Sequence, residues 1–275
     1  MNARSVKILD ILSVNKKVKL KLLAEMLDVS FVTLRKDLDD LEKRGFICRT
    51  HGYVSLDGAD NTGKRMAIKY SIKLRIAKAA AQTVEDGETI MMESGSCCAL
   101  LAEELALAKK NISLITNSVY IANYLSKVNN VKITLLGGFF QPESQVLVGP
   151  ITAKSAKHLF FDKFFLGTDG FIPGYGFTGR DPLRAETAVK LTKQAEKVFI
   201  LTEAAKFQHR GAYSLIRFDK LAGVFTDDTI PKEAEAALMK SNVSLNIVPS
   251  EEERIVWRQF SGQPPIIYKE KKTDN

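Results

Sequence analysis

Small and polar residues follow three short apolar runs of the sequence. If these runs are strands of a parallel sheet, the residues lie in the loops at the ends of the strands, where such sheets bind ligands. These loops are Ser94-Gly95-Ser96, Asn117-Ser118 and Gly137-Gly138. Such loops lead into helix N-termini, whose unpaired amides and positive dipole end attract anions. Small residues let the backbone approach a ligand, and the serine hydroxyls add hydrogen-bond donors. We therefore expect a phosphate-like anion to bind here, although each loop taken alone is also consistent with an ordinary cap or turn.

A second polar set lies further along the chain. Lys206 comes just after the apolar run that ends at Leu201, where its ammonium group can reach an anion or remain solvated. The segment 180–186 opens a helix whose next turn carries Lys190. Three carboxylates can meet at this sheet edge, for acid–base chemistry or for hydrogen bonds to sugar hydroxyls. They are Glu93, Asp169 and Glu186.

Other signals for catalysis or cofactor binding are weak. His51, His158 and His209 are scattered and have neither metal-ligand nor nucleophile-elbow spacing. The segment 174–179 matches GxGxxG, but Pro173 precedes it and no helix follows at once, so we expect a mobile glycine-rich loop near the site instead of a dinucleotide site. We predict no catalytic residue, metal or cofactor.

The elements that would position these loops alternate along the chain. Short β-rich runs predict strands at 89–92, 112–116, 131–136, 163–167, 197–201, 224–226 and 244–248. Amphipathic stretches predict helices at 70–84, 98–108, 119–127, 182–196 and 231–240. This alternation indicates an α/β domain, a mostly parallel sheet with helices on both faces.

The N-terminal region has a different pattern. Apolar faces predict helices at 3–14 and 20–27, and Ser30 and Gly45 are suitable start and stop residues for a third. Leu34, Leu38 and Leu41 would form the buried face of that third helix. The run 46–54 reads as two short strands about a turn. Helix, turn, helix and wing is the arrangement of a winged helix-turn-helix, a DNA-binding fold.

Composition limits the remaining possibilities. The 275 residues are 45% hydrophobic and 26% charged, which is ordinary for globular proteins, and the net charge of +8 suits an acidic partner. Cys48, Cys97 and Cys98 are odd in number and lack paired CxxC spacing, which favours a reducing cytoplasm. No apolar run approaches the length of a membrane span, so we expect a cytoplasmic protein.

Two groups of residues resemble the DeoR family of bacterial transcriptional regulators. The first is the run 33–41 together with Gly45, Arg49, His51 and Gly52. The second comprises Asp86-Gly87, Gly95-Ser96, Thr116-Asn117-Ser118, Gly137-Gly138, Gly149, Gly167, Asp169-Gly170, Glu186, Lys190 and Lys206-Phe207. The chain departs from the family pattern at Tyr53, Glu93 and Glu203-Ala204-Ala205.

The resemblance implies a winged helix-turn-helix followed by a Rossmann-like domain similar to ribose-5-phosphate isomerase, which senses a phosphorylated sugar. We expect the DNA-binding domain at 1–56, a linker at 57–70, the effector and oligomerisation domain at 71–260 and a peripheral tail at 261–275. The expected DNA-binding residues are Ser30, Thr33, Arg35, Lys36, Arg49 and His51. The expected effector-binding residues are Ser94, Gly95, Ser96, Asn117, Ser118, Gly138, Glu186, Lys190 and Lys206.

These expectations describe a repressor of a sugar-uptake or sugar-catabolism operon. Its partners would be operator DNA, a sugar-phosphate effector and further copies of itself, in a homodimer or homotetramer. Two alternatives remain at this stage. One is a sugar-phosphate isomerase-like enzyme with an accessory DNA-binding domain, and the other is an architectural DNA-binding protein whose second domain binds no ligand.

Overall fold

The computed structural model describes residues 1–56, 62–128 and 131–250. These residues form two compact units, which are described separately. The first contains residues 1–56, 67–70 and 250, and the second contains 62–66, 71–128 and 131–249. Residues 57–61 of the predicted linker, part of the predicted effector domain and the predicted tail at 261–275 lie outside the described residues.

The first unit is a winged helix-turn-helix, as the sequence predicts. Its elements are α1 (Ala3–Asn15), β1 (Lys17–Lys19), α2 (Leu20–Leu27), α3 (Phe31–Lys43), β2 (Cys48–Thr50) and β3 (Tyr53–Ser55). The strands form an antiparallel sheet in the order β1-β3-β2. Strand β1 reads Lys-Val-Lys and was not predicted from the sequence. It forms a strand because its central Val18 is buried and pairs with Val54 of β3.

The ends of α3 follow from local chemistry. Ser30 is the N-cap residue, and its Oγ accepts a hydrogen bond of 3.2 Å from the Thr33 amide. After the helix, Gly45 adopts φ +72°, a left-handed conformation that glycine tolerates best. Leu34, Leu38 and Leu41 are fully buried, and such burial contributes roughly 1.5–3 kcal/mol per side chain. The prediction for this helix is confirmed.

Beyond residue 61 the fold is α/β. The helices are α4 (Thr62–Ala67), α5 (Tyr70–Ala81), α6 (Ser96–Ala108), α7 (Val119–Tyr124), α8 (Pro150–Ser155), α9 (Pro182–Leu191) and α10 (Lys232–Lys240). The strands are β4 (Thr89–Met92), β5 (Ser113–Thr116), β6 (Lys132–Leu135), β7 (Phe139–Gln141), β8 (Val146–Val148), β9 (Phe161–Leu166), β10 (Gly170–Ile172), β11 (Gly176–Gly179), β12 (Ala195–Leu201), β13 (Tyr213–Arg217), β14 (Gly223–Asp227) and β15 (Ser244–Val248).

The seven strands predicted from the sequence form one parallel sheet in the order β15-β14-β12-β9-β4-β5-β6. From β4 the chain adds β5 and β6 on one side, whereas β9 leads to β12, β14 and β15 on the other. The strand order therefore reverses between β4 and β9. In open parallel sheets, such a switch point opens a crevice at the carboxyl ends of the strands.

Several elements beyond residue 61 differ from the sequence predictions. Helix α4 lies within the predicted linker, and α9 ends at Leu191 because β12 begins at Ala195, before the predicted helix end at 196. Strands β7 and β8 form an unpredicted hairpin. The predicted mobile loop at 174–179 is also wrong, because β11 pairs with β10 and β13 in a small antiparallel sheet. At Gly176 a Cβ atom would lie 2.2 Å from the Ile216 carbonyl oxygen, so this close strand approach requires glycine.

Packed aromatic rings fix the loop that carries Lys206. The short 3₁₀ helix Ala204–Gln208 places Phe207 against Phe171 and Phe177 of the small sheet, with ring centroids 5.0 and 5.7 Å apart. The Ala204 amide donates a 2.7 Å hydrogen bond to the Asp227 carboxylate at the end of β14. The backbone around Lys206 is thus anchored from two sides.

Candidate effector cavity and DNA-binding surface

A polar cavity of about 290 Å³ opens at the switch point of the large sheet. The loops after β4, β9 and β12 form its wall, together with β11, the start of α9 and one residue of α4. The residues that the argument below uses are Arg65, Glu93, Ser94, Gly95, Ser96, Asp169, Arg180, Arg184, Glu203 and Lys206. No histidine contributes to its lining.

The start of α6 forms one wall of this cavity. Gly95 is the N-cap residue, so no side chain caps the first amides of this 13-residue helix. The preceding Ser94 is only 2% exposed, and its Oγ has no hydrogen-bond partner among the described residues. A buried hydroxyl without a partner costs free energy, as does an uncapped helix start. Both groups would be satisfied by an anion in the cavity.

A buried ion pair forms the floor. Arg184 Nε and Nη2 donate to Glu93 Oε1 at 3.2 and 3.0 Å, and Nη2 also donates to the Ser94 carbonyl oxygen at 3.3 Å. Asp181 caps α9 by accepting the Arg184 amide at 2.8 Å, which fixes the arginine at the first turn. Burial raises the pKa of Glu93 above its ordinary value, and the Arg184 guanidinium opposes that shift.

A second ion pair joins Glu203 of the cavity lining to Lys73, which lies outside that lining. Lys73 Nζ of α5 is 3.4 Å from Glu203 Oε1 and also donates to the Arg65 carbonyl oxygen. Burial would raise the pKa of Glu203, but the Lys73 charge and a backbone hydrogen bond outweigh it, so this pKa lies below its usual range. Cys97 Sγ lies 3.9 Å from Glu203 Oε2, and burial raises the pKa of this thiol, which disfavours a thiolate nucleophile.

Two cations in the cavity lining, Lys206 and Arg180, differ from Arg184 and Lys73 because they are not paired with a carboxylate of any described residue. Lys206 is half-buried and Arg180 is exposed, and neither forms an ion pair with any residue in the described part of the chain. The backbone amide of Arg180 donates to Asp169 Oδ2 at 3.0 Å. This hydrogen bond orients the Asp169 carboxylate and does not involve the Arg180 guanidinium. The side chains of Lys206 and Arg180 therefore remain available to an anionic ligand.

The DNA-binding residues predicted in the first unit surround the start of α3 and the wing. Arg35 and Lys36 are exposed on α3, and His51 is exposed beside Gly52 in the β2–β3 turn. Ser30 Oγ and Thr33 Oγ1 lie 3.0 Å apart and share a hydrogen bond. Their hydroxyls thus contribute to the helix cap.

Arg49 of the wing differs from the other predicted contacts because carboxylates of α3 bind it. Its Nη1 is 2.6 Å from Asp39 Oδ1, and its Nε donates to Glu42 Oε2 at 2.8 Å. The Arg49 amide donates to Glu42 Oε1 as well, at 3.2 Å. Arg49 hydrogen bonds hold the pKa of Glu42 below its usual range. This arginine ties the wing to α3 and neutralises two acidic groups there.

Comparison with known families agrees with both units. A profile of the DeoR-like helix-turn-helix domain matches residues 4–58, and a profile of the DeoR C terminal sensor domain matches residues 68–228. The sensor match alone spans more than half of the chain.

The chain belongs to the DeoR family of transcriptional regulators. Its DeoR relatives include the HTH-type transcriptional regulator FruR of Bacillus subtilis, which is 30% identical over 83% of this chain and 89% of that protein. The lactose phosphotransferase system repressor of Lactococcus lactis is 30% identical over 82% and 91% of the two chains. The L-fucose operon activator of Escherichia coli K12 is 28% identical over 82% and 95%.

Among solved structures, a D-ribose-5-phosphate isomerase in complex with phospho-erythronic acid covers 50% of this chain and 54% of its own, with a TM-score of 0.39 and 15% identity. Within the described residues of this DeoR chain, no helix is long and apolar enough to cross a membrane. The same residues contain no group of three or more His, Cys, Asp or Glu side chains arranged to hold a metal ion.

The cavity contains four of the nine effector-binding residues predicted for this DeoR chain, namely Ser94, Gly95, Ser96 and Lys206. Asn117 and Ser118 lie outside its lining, because Asn117 Nδ2 donates to the Leu147 carbonyl oxygen and Ser118 caps α7 by accepting the Ile121 amide. The predicted loops after β4 and β5 therefore do not meet at this cavity.

Three more predicted effector residues also lie elsewhere. Gly138 packs against α8, where a Cβ atom would fall 1.9 Å from Thr152 Oγ1. Glu186 and Lys190 form a 2.6 Å ion pair on the surface of α9, one turn apart. They point away from the lining because α9 turns Arg184 and Ala185 toward the cavity.

The position of Arg65 in the cavity lining and the ion pairs of Arg184 and Lys73 were not predicted from the sequence. Arg65 lay in a predicted linker, Arg184 lay in the predicted polar segment 180–186 without a role of its own, and Lys73 lay on a predicted amphipathic helix. Glu93 and Asp169 were expected at this sheet edge, and both line the cavity. The departures from the family pattern at Glu93 and Glu203 gave a signal, because each carboxylate pairs with one of the missed cations.

Proposed function

We propose that this chain represses an operon for sugar uptake or catabolism, and that a phosphorylated sugar in the cavity controls its affinity for operator DNA. The observation that carries the proposal is the uncapped start of α6 beside the buried, unpartnered Ser94 hydroxyl. A phosphate placed there would accept hydrogen bonds from the first amides of the helix and from Ser94.

Two cations support a phosphate over a neutral ligand. Lys206 and Arg180 line the same cavity and form no ion pair with a described residue, so a dianion would compensate their charge. Charge-assisted hydrogen bonds to phosphate are stronger than those to neutral groups. The other end of the ligand would lie near Asp169, whose carboxylate accepts hydrogen bonds from sugar hydroxyls.

Cavity size and relatives favour a small sugar phosphate. A volume of about 290 Å³ is at the lower end of the range for small-molecule sites, which suits one monosaccharide unit. The relatives include a lactose phosphotransferase system repressor and an L-fucose operon activator. These names support a carbohydrate signal for this chain, and we carry over the repressing role that the lactose phosphotransferase system repressor has in its name.

The DNA-binding part of the proposal rests on α3. Arg35 and Lys36 would enter the major groove, where arginine and lysine donate to guanine O6 and N7 or to backbone phosphates. His51 at the turn of the wing would contact the DNA backbone or the minor groove. Ser30, Thr33 and Arg49 would have smaller direct roles, since each hydrogen bonds within the domain.

Coupling requires that an element near the DNA-binding domain respond to ligand, because a ligand shifts an equilibrium only by its differential affinity for the two states. We propose Arg65 for this role. It belongs to α4, within the predicted linker, and its side chain lines the cavity. Its carbonyl oxygen accepts a hydrogen bond from Lys73, which in turn pairs with Glu203.

We propose that this site binds without catalysis. An isomerase needs an acid or base placed to move a substrate proton. Here Glu93 and Glu203 are paired with Arg184 and Lys73, and Asp169 accepts the Arg180 amide. An assay of ribose 5-phosphate isomerisation tests the enzyme alternative, and turnover would overturn the proposal.

The deciding experiment is a thermal-shift screen of phosphorylated pentoses, hexoses and hexitols, each with its unphosphorylated counterpart as control. We expect one sugar phosphate to raise the melting temperature and to change operator affinity in a fluorescence anisotropy titration. Stabilisation without any change in DNA affinity would refute the coupling. No stabilisation by any sugar phosphate would favour the architectural alternative.

The assembly that binds DNA is part of the same proposal. A homodimer or homotetramer would present two winged helix-turn-helix domains to a repeated or palindromic operator. Light scattering coupled to size-exclusion chromatography measures the mass directly. A monomer at micromolar concentration, with and without operator DNA, would contradict this part.

A further inference from the structure

An apolar side chain lies on the solvent-facing surface at the start of α3. Val32, the second residue of the helix, is 82% exposed. Arg35 and Lys36 follow it by three and four residues, so they flank it on the same face of the helix. The buried leucines of α3 lie on the opposite face. Packing within the domain therefore does not explain a valine at this position.

Other features of this face favour an anionic partner with apolar groups in it. Two acidic residues of α3 lie near this face and both are paired: Arg49 Nη1 binds the Asp39 carboxylate at 2.6 Å, and Arg44 Nε lies 3.6 Å from Asp40 Oδ2. Phe31, the first residue of α3, is 58% exposed and extends the apolar area at the first turn. The exposed face of α3 thus combines two cations and an apolar patch at its start with carboxylates that are paired with arginines further along the helix.

We infer that Val32 reads thymine in operator DNA through contact with the C5-methyl group in the major groove. Of the four bases, only thymine presents a methyl group there, and apolar side chains recognise it by contact. The N-terminal residues of a recognition helix are those that reach base edges. This inference rests on the DNA-binding role of α3 proposed above and assigns it one base.

The test removes the methyl group and nothing else. A duplex enriched from random sequences by the full chain is resynthesised with deoxyuridine in place of each thymine in turn. We expect substitution at one or two positions in each half-site to weaken binding about fourfold, the effect of one buried methyl-sized group. Val32→Ala should bind the unmodified duplex with a similar loss.

Combining Val32→Ala with the deoxyuridine substitution tests whether Val32 contacts the thymine methyl group. In Val32→Ala, deoxyuridine at the sensitive positions should have no further effect, since the methyl group has lost its partner. Val14→Ala is the matched control, because Val14 is 66% exposed on α1 and the substitution is the same. It should bind and respond to deoxyuridine like the unchanged protein.

The outcomes separate this inference from the proposed function. If the unchanged chain enriches a sequence that is insensitive to deoxyuridine at every thymine, the methyl contact is refuted while DNA recognition stands. If Val32→Ala remains sensitive at those positions, another residue makes the contact. If Val32→Ala instead changes the mass of the protein in solution, Val32 belongs to a protein interface. Failure to enrich any sequence would overturn both proposals.

Discussion

The Lys73 ammonium and the Glu203 carboxylate form a buried ion pair, with Nζ 3.4 Å from Oε1 and Lys73 only 2% exposed. Lys73 also donates to the Arg65 carbonyl oxygen, and Glu203 precedes the 3₁₀ helix that carries Lys206. One ammonium group thus connects two segments of the cavity wall that are far apart in sequence.

The first prediction concerns the stability of this pair. Lys73→Met should lower the free energy of unfolding by about 3–5 kcal/mol, because it leaves a buried carboxylate without its partner. Urea denaturation followed by circular dichroism measures the loss. Lys78→Met, at an exposed position of the same helix, is the control and should unfold like the unchanged protein. A loss for Lys73→Met as small as that of the control would contradict this role.

The same pair sets a pH dependence. Because the pKa of Glu203 is lower in the folded state, its contribution is complete above the ordinary glutamate pKa of about 4.3. It is lost as the pH falls through the lower folded-state pKa. The stability difference between the unchanged protein and Lys73→Met should therefore narrow on acidification below that value. A constant difference down to the acid unfolding transition would refute the linkage.

The second prediction concerns ligand contacts in the cavity. Ser94→Ala should weaken binding of the sugar phosphate about tenfold or more, because a hydrogen bond to a charged group contributes roughly 1.5–3 kcal/mol. Lys206→Met should have a larger effect, since it removes a cation. Calorimetric titration measures both.

The control for this prediction is Lys190→Met, which removes a lysine that was predicted from the sequence but lies outside the cavity lining. It should bind like the unchanged protein. Equal losses for Lys190→Met and Lys206→Met would show that the ligand binds elsewhere.

The sequence pattern predicted the large sheet and the helices of the first unit, because the central strands β4 and β9 and helix α3 each bury a run or a face of apolar residues. All seven parallel strands were found in this way, since β4, β9 and β12 consist mostly of buried apolar residues. Strand β1 was missed because three residues give almost no periodicity and the strand depends on pairing with β3. Likewise, Gly176 belongs to a strand through its pairing with Ile172 of β10 and Arg217 of β13.

Only part of the cavity lining was predicted from the sequence, because the sequence indicates which residues follow a strand but not which way a helical side chain faces. Ser94 and Lys206 follow strands, so the topology of a parallel sheet places them at its carboxyl edge. Arg65 and Lys73 come from helices that pack beside that edge, and their sequence neighbours do not reveal which direction they face. Asn117 also follows a strand, but its amide binds the Leu147 backbone instead. A position at the end of a strand therefore does not show whether a side chain lines the cavity or binds the backbone.

The third prediction concerns DNA recognition by α3. Arg35→Ala should weaken operator binding by about 1–3 kcal/mol if the side chain contacts a base. If it contacts a phosphate, the loss should be nearly independent of sequence and the salt dependence should fall by about one ion. Fluorescence anisotropy at several salt concentrations separates these cases. Lys43→Ala, at the opposite end of α3, is the control, and an unchanged affinity for Arg35→Ala would refute the orientation of the helix.

The fourth prediction concerns Arg49. Arg49→Ala should weaken DNA binding because it exposes the Asp39 and Glu42 carboxylates to the phosphate backbone. If this is the cause, adding Asp39→Asn and Glu42→Gln to Arg49→Ala should restore most of the affinity. A direct phosphate contact by Arg49 predicts no recovery, together with a lower salt dependence. The triple variant therefore decides between the two roles in one gel-shift series.

The fifth prediction concerns coupling through Arg65. Arg65→Gln should reduce the effect of the sugar phosphate on operator affinity, because it removes the proposed charged contact of α4 with the ligand while keeping a polar side chain at this position. DNA affinity without ligand should stay unchanged, since Arg65 is not part of the winged helix-turn-helix. Lys64→Gln changes the preceding residue on α4, which is absent from the cavity lining. It is the control, and the sugar phosphate should affect its operator affinity as in the unchanged protein.

Coupling is reciprocal in binding free energies, so operator DNA should also lose its effect on ligand affinity in Arg65→Gln. If Arg65→Gln binds the ligand normally and still transmits the full effect to DNA, α4 does not carry the signal and another part of the wall must do so.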